Sequence, residues 1–187
     1  MPLLPKEPEV FPESLFDLDE PWRVAHVRSR QEKVLARHLL QKDVGYYLPQ
    51  IDKNVQRAGR RFVSHVPLFA GYVFFRGGAG ARQTALRSNV VAHLIEVENQ
   101  QRLQEELWQI RALQLAGASL IPVDELVPGD AVRVTGGAFA GYQGTVVRTA
   151  RGDRLLVAVS LLRKTVAVEF PRGAVKRSGK RASERTA

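Results

Sequence analysis

The sequence predicts an α+β protein, an N-terminal α/β sandwich joined by a short linker to a small β-barrel. Three observations carry this. Between Trp22 and Leu115, strand-like and helix-like stretches alternate, an order that packs helices against a sheet face. From Asp130 onward helical periodicity disappears, and short alternating apolar runs punctuated by glycines take over, the pattern of an all-β unit. Between the two lie residues 118–127, with Pro122 inside the stretch and Pro128 just beyond it, composed as a stiffened linker. The expected division is a leader over 1–20, a first domain over 21–117, the linker over 118–127, the barrel over 128–177 and a tail over 178–187.

The chain has 187 residues, enough for two small domains, and 44% are hydrophobic, enough for packed cores. There is no cysteine, which removes disulfides, thiolate nucleophiles and zinc–thiolate sites together and fits a reducing cytosol. No apolar run approaches the ~20 residues of a membrane helix, and the N-terminus lacks the basic-then-apolar order of a secretory signal. A cytoplasmic protein without a membrane partner is expected, and a monomer.

The net charge of +9 conceals an asymmetry. Residues 1–20 carry six carboxylates (Glu7, Glu9, Glu13, Asp17, Asp19, Glu20) against Lys6, a net of −5, leaving +14 on the rest. A strongly basic body suits nucleic acid or an acidic protein surface. The leader holds Pro2, Pro5, Pro8 and Pro12 among its acids and reads as disordered by composition, with Leu15, Phe16 and Leu18 as its only docking candidates.

Order is expected from Trp22. Trp22 to Val27 reads as a strand, with Trp22, Val24 and His26 on one face. Ser29 and Glu32 form the S-x-x-E pattern of a capping box, followed by Val34, Leu35, His38 and Leu39 at helical spacing, with Gly45 as the stop. Tyr46 to Ile51 is strand-like, and Pro49 marks an edge or an end. Ala58-Gly59 reads as a hairpin tip carrying Arg57, Arg60 and Arg61. Pro67-Leu68-Phe69-Ala70-Gly71-Tyr72-Val73-Phe74-Phe75 is the most apolar run of this half, a central strand with the turn that leads into it. A short helix over Arg82–Arg87, a strand over Val90–Val97 and a helix over Gln100–Leu115 follow. The last has Leu103, Leu107, Ile110 and Gln114 along one face.

In the second half, Asp130–Thr135 alternates as a half-buried strand, Gly136-Gly137 opens a turn, and Gly144 begins another strand. Phe139 and Tyr142 lie in the connection. Arg154–Ser160 and Thr165–Phe170 are two further strands about a turn at Leu162-Arg163-Lys164, and Ala174-Val175 begins a last one. The tail from Lys176 sets Lys176, Arg177, Lys180, Arg181 and Arg185 against Glu184, a basic and disordered extension.

The run Pro128–Val147, with its spaced glycines and two stranded aromatics, resembles the KOW motif of small SH3-like barrels. Trp22, the Ser29–Glu32 helix start, Tyr47-Leu48-Pro49 and Pro67–Phe74 resemble the N-terminal domain of NusG-type transcription elongation factors, whose second domain is a KOW barrel. The resemblance covers Trp22 to Arg177. It implies a non-enzymatic elongation or antitermination factor that binds the clamp helices of RNA polymerase through an apolar patch on its first domain. By motif, His26, Pro67, Leu68, Phe69, Tyr72 and Phe74 are the polymerase-binding candidates. Tyr72 and Phe74 share one strand face; Phe75, on the other, reads as core. Phe139, Tyr142, Leu161, Leu162 and Lys164 are implied as the rim where the KOW barrel meets a partner, ribosomal protein S10 or Rho in general members. Arg57, Arg60 and Arg61 are candidates for upstream or non-template DNA, through phosphate contacts. The chain departs from the common pattern at Leu162-Arg163, where Phe-Gly is usual, at Ala70, usually proline, and at Arg23, usually tyrosine. These departures resemble specialised paralogues serving long operons and count against Rho.

The alternative is a KOW-type RNA-binding protein of the ribosome, which would not need the first domain or its apolar run. An enzyme is not expected. His26, His38, His65 and His93 have no ligand-like spacing. Gly136 to Gly141 has P-loop spacing but lacks the following Lys-Ser/Thr, and no carboxylate pair suggests acid–base chemistry. No cofactor or metal is implied. Some specialised family members hold the second domain as a helical hairpin that masks the first. Here Val157, Val159, Thr165, Val166 and Val168 are β-branched, and Gly144 and Gly152 would each cost such a helix about 1 kcal/mol. A permanently β barrel that leaves Tyr72 and Phe74 unmasked is expected.

Overall fold

A computed structural model describes residues 8–57, 59–123, 130–134, 143–149, 152–162, 164–170 and 175–177. The chain divides into two units, Met1–Gln104 and Glu105–Ala187. The elements of the first half are β1 (Val10–Phe11), β2 (Trp22–Val27), α1 (Glu32–Gln41), β3 (Tyr46–Tyr47), β4 (Gln50–Arg57), β5 (Arg60–Pro67), β6 (Tyr72–Arg76), α2 (Ala79–Arg87), β7 (Val91–Ile95) and α3 (Gln100–Leu115). Five of the strands form one antiparallel sheet in the order β1-β3-β6-β2-β7, while β4 and β5 pair only with each other as a two-stranded ribbon.

One face of the five-stranded sheet lies on α1 and α2. Ala25, Val27, Val73, Phe75 and Tyr46 pack there with Leu35, Ala36, Leu39 and Ala85, so Phe75 is core as its strand position requires. Pro49 divides the predicted Tyr46–Ile51 strand: β3 ends at Tyr47 and β4 begins at Gln50, because proline has no N–H to continue a ladder. α2 begins at Ala79, earlier than its sequence suggests, and α3 has the predicted limits. Along α3 the fourth buried position is Leu113, after Leu103, Leu107 and Ile110; Gln114, the predicted one, is half-buried. Both fit helical spacing, and burial goes to the apolar side chain.

Two sequence readings are corrected here. Residues 8–20, read as part of a disordered leader, are structured. β1 adds an edge strand beside β3 in the register Val10↔Tyr47, and a 3-10 turn over Glu13–Asp17 fully buries Leu15. The prolines and acids dominate the composition, but Val10, Leu15 and Phe16 supply the anchors. Residues 1–7 and the tail 178–187 lie outside the described residues. The capping box is also absent. α1 is preceded by Gln31 and shows no side-chain cap; Ser29 is exposed, and the Glu32 carboxylate turns instead to the Gly71 amide at 2.6 Å.

The second unit contains β8 (Leu120–Val123), β9 (Asp130–Val134), β10 (Gln143–Thr149), β11 (Gly152–Val159), β12 (Lys164–Phe170) and β13 (Val175–Arg177), antiparallel in the order β13-β9-β10-β11-β12-β8. Val157, Val159, Thr165, Val166 and Val168 all stand in strands. Residues 120–123, read as linker, pair with β12 in the register Val166↔Pro122. Proline is tolerated there because β8 is an edge strand. No helix among the described residues is long and apolar enough to cross a membrane.

Candidate functional site

The face of the five-stranded sheet turned away from α1 and α2 is set by strand register. His26 lies opposite Tyr72 on one side and His93 on the other, Val24 opposite Phe74 and Ile95, and Trp22 opposite Arg76, while Tyr47 pairs with Phe74. Directly opposed residues point to the same face, so this face is a continuous row of aromatic and apolar side chains.

One end of the row is closed. The Arg76 guanidinium lies over the Trp22 ring, 4.4 Å from its centroid. It donates to the Leu18 carbonyl at 2.5 Å, to the Glu20 carbonyl at 2.6 Å, and to the Gln104 side-chain oxygen. That same oxygen accepts the Trp22 indole N–H, and the Gln104 amide donates to the Phe16 carbonyl at 2.8 Å. Gln100 accepts the Trp22 amide at 2.7 Å and donates to its carbonyl at 3.0 Å. Burial lowers the Arg76 pKa from its ordinary value, with Glu20 and then Asp19 opposing the shift. A charge so placed is sustained by carbonyl acceptors and the face of the indole ring. Phe16 completes this end, 5.5 Å from Trp22 and 5.4 Å from Tyr47.

The other end is open. His26 and Tyr72 are half-buried and His93 is exposed, with ring centroids 5.0 Å apart for His26–Tyr72 and 4.7 Å for His26–His93. Gly71 precedes Tyr72 at φ +86°, and a Cβ there would come within 3.4 Å of His26 Nε2. Glycine is therefore required both for the left-handed turn and for the approach of the imidazole. The turn is tied at several points: Val27 donates to Gly71 O at 2.8 Å, Leu68 to Pro49 O at 2.8 Å, and Tyr72 to Phe69 O at 3.1 Å.

The six residues expected to form a polymerase patch thus separate into two layers. His26, Pro67 and Tyr72 retain accessible surface. Leu68, Phe69 and Phe74 are buried at 3%, 3% and 0% exposure, with Phe69 edge-on to Phe74 at 5.9 Å and Tyr47 6.3 Å away. Phe74 therefore supports the surface rather than presenting it. His93 was missed by sequence reasoning. Alternation in β7 gives no hint of its neighbour, and only the pairing with β2 brings it beside His26.

At the ribbon, Arg57 and Arg60 are the last backbone pair and Gly59 turns the tip at φ +74°. Arg61 is exposed. Val55, Phe62 and Val63 are unusually exposed for apolar residues, at 37%, 38% and 48%. Lys53 is exposed, while Asp52 is engaged by His65 across the strands at 2.5 Å. In the second unit Leu161 is half-buried and Leu162 buried, on a 3-10 turn over Ser160–Leu162. Lys164, expected in that turn, opens β12 opposite Val159. Phe139 and Tyr142 lie outside the described residues. Among the described residues no group of three or more metal-ligating side chains is gathered.

The family model for transcription termination factor NusG matches residues 20–110, and the model for the KOW motif matches residues 128–157. The chain belongs to the NusG family. Among solved structures, one of Thermotoga maritima NusG concerned with domain interaction is 18% identical over 85% of this chain and 97% of that one, with a TM-score of 0.50. At that identity the likeness speaks to the fold. An MjSpt4:Spt5 complex is 13% identical over 87% of this chain and 99% of that one, but its TM-score of 0.27 is too low to carry weight. No curated protein matches. NusG-family proteins are transcription factors rather than enzymes, and membership makes this chain a transcription elongation or antitermination factor.

Proposed function

We propose that this factor docks on the clamp helices of RNA polymerase through the open end of its aromatic face, with His26, Tyr72 and His93 as contacts and Pro67 at the margin. The observation that carries the reading is that the NusG match over residues 20–110 contains a sheet face, turned away from α1 and α2, that is aromatic and accessible around Tyr72. A helix laid against such a surface is held mainly by apolar burial, and one large aromatic side chain contributes about 1.5–3 kcal/mol.

The ribbon and the second unit take the remaining partners. Arg57, Arg60 and Arg61 sit at or next to the tip of a ribbon whose strands are about 26 Å long at ~3.3 Å per residue, which supports contact with upstream or non-template DNA by way of phosphates. The KOW unit recruits a second protein; of the candidates that family likeness offers, ribosomal protein S10 is favoured over Rho, against which Leu162-Arg163 counts. A ribosomal RNA-binding role leaves residues 20–110 without a purpose.

The test is co-purification of the full chain with RNA polymerase, for the parent and for Tyr72→Ala. The parent should retain polymerase and the variant should bind about 5- to 100-fold more weakly, the range of hot-spot aromatics. Recovery of ribosomal subunits instead of polymerase, or equal binding by a folded Tyr72→Ala protein, would overturn the reading.

A further inference from the structure

The NusG match begins at residue 20, yet the structured chain begins before it. Leu48 N donates to Glu9 O at 2.7 Å, and the Tyr46 hydroxyl donates to Pro8 O at 2.9 Å. Leu15 is completely buried, Phe16 lies against Trp22 and Tyr47, and Arg76 grips the carbonyls of Leu18 and Glu20. A segment outside the family match is thus fixed along the β3 edge of the sheet, and its Phe16 reaches onto the aromatic face that the family match supplies.

Gly45 shows how closely this segment fits. A Cβ at Gly45 would lie 2.7 Å from Leu15 Cδ1, 3.3 Å from Phe11 O and 3.4 Å from Pro12 Cδ. All three atoms belong to the N-terminal segment. The sequence suggests that Gly45 stops α1, but the left-handed residue after the helix is Asp43, at φ 57°. The missing side chain at 45 instead makes room for the segment.

We propose that residues 9–20 form a fixed strap that occupies the Trp22–Tyr47 end of the aromatic face and so confines polymerase docking to the His26–Tyr72–His93 end. The strap is a specificity element, and this inference rests on the polymerase-docking reading above. Phe16 fills the place on Trp22 and Tyr47 that an apolar side chain of an incoming helix would otherwise take.

The test uses the full chain carrying Trp108→Phe, which leaves Trp22 as the sole tryptophan. Into it are placed Phe16→Ala, which empties the strap's contact, and separately Gly45→Ala, which displaces Leu15 without altering the face. Circular dichroism establishes that each is folded, and if one unfolds the other decides. Acrylamide quenching of Trp22 should rise, and affinity for RNA polymerase core enzyme should increase about three- to tenfold, as expected when a competing aromatic contact is removed. Unchanged quenching, or raised quenching with unchanged or weaker polymerase binding, overturns the strap. Tyr72→Ala is added to both backgrounds. If it leaves polymerase binding intact, the docking reading fails, and the strap as a cover on Trp22 is then judged by quenching.

Discussion

The Glu32 carboxylate accepts the Gly71 amide at 2.6 Å, tying the first residue of α1 to the turn that delivers Tyr72, 39 positions along the chain. Glu32 is almost fully buried. A side chain that would serve its own helix terminus in a capping box serves a distant loop instead, and through it the proposed contact surface.

Glu32→Ala should therefore destabilise the protein by about 1–2 kcal/mol, the cost of leaving a partly buried amide without its charged acceptor. Glu32→Gln keeps an oxygen in place and should cost less. Ser29→Ala should fall within about 0.5 kcal/mol of the parent, as for an exposed side chain, whereas a true N-cap would lose about 1 kcal/mol. Urea denaturation of the three variants checks all of this.

Phe74 and Tyr72 should respond oppositely. Phe74→Ala empties a fully buried site and should cost about 3–5 kcal/mol of stability. Tyr72→Ala should leave stability nearly intact and weaken polymerase binding by about 1–3 kcal/mol. Thermal melts and a polymerase binding assay on the same preparations separate the two effects.

This contrast marks the limit of what the sequence discloses. Alternation along Tyr72–Arg76 placed Tyr72 and Phe74 on one face correctly, since the side-chain period of a strand is two. It carried no information on how much of that face is covered, because cover comes from residues far away in sequence, such as Phe16 and Gln104. The same holds for Glu32, whose spacing from Ser29 imitates a local motif while its partner is remote. β2, α3 and the ribbon were legible because each depends on local periodicity or a glycine tip. Residues 8–20 and 120–123 were not, because proline-rich composition outweighs a few apolar anchors when no register is known.

Arg76→Lys should loosen the N-terminal segment. A lysine cannot reproduce the fork that spans the Leu18 and Glu20 carbonyls and Gln104, and hydrogen bonds to charged groups contribute about 1.5–3 kcal/mol. Hydrogen exchange at residues 10–18 should accelerate in this variant before exchange in β2 does.

Binding of the full chain to single- or double-stranded DNA should fall as salt rises, since phosphate contacts release counterions. Replacing Arg57, Arg60 and Arg61 together by alanine should lower the slope of log affinity against log salt by about three, one for each contact. An unchanged slope, measured by fluorescence anisotropy across a salt series, would remove the ribbon tip from the DNA interface.

β1 is only two residues long and is followed at once by Pro12. A short edge strand ending in a residue with no N–H is a poor template for a second chain. Without it, the outer backbone of β3 at Tyr46 and Tyr47 would face solvent beside a row of aromatic side chains. Trimming the N-terminus to residue 20, where the family match begins, would thus create an adhesive sheet margin. A chain trimmed there should self-associate at lower concentration than the full chain, which sedimentation of the two would check.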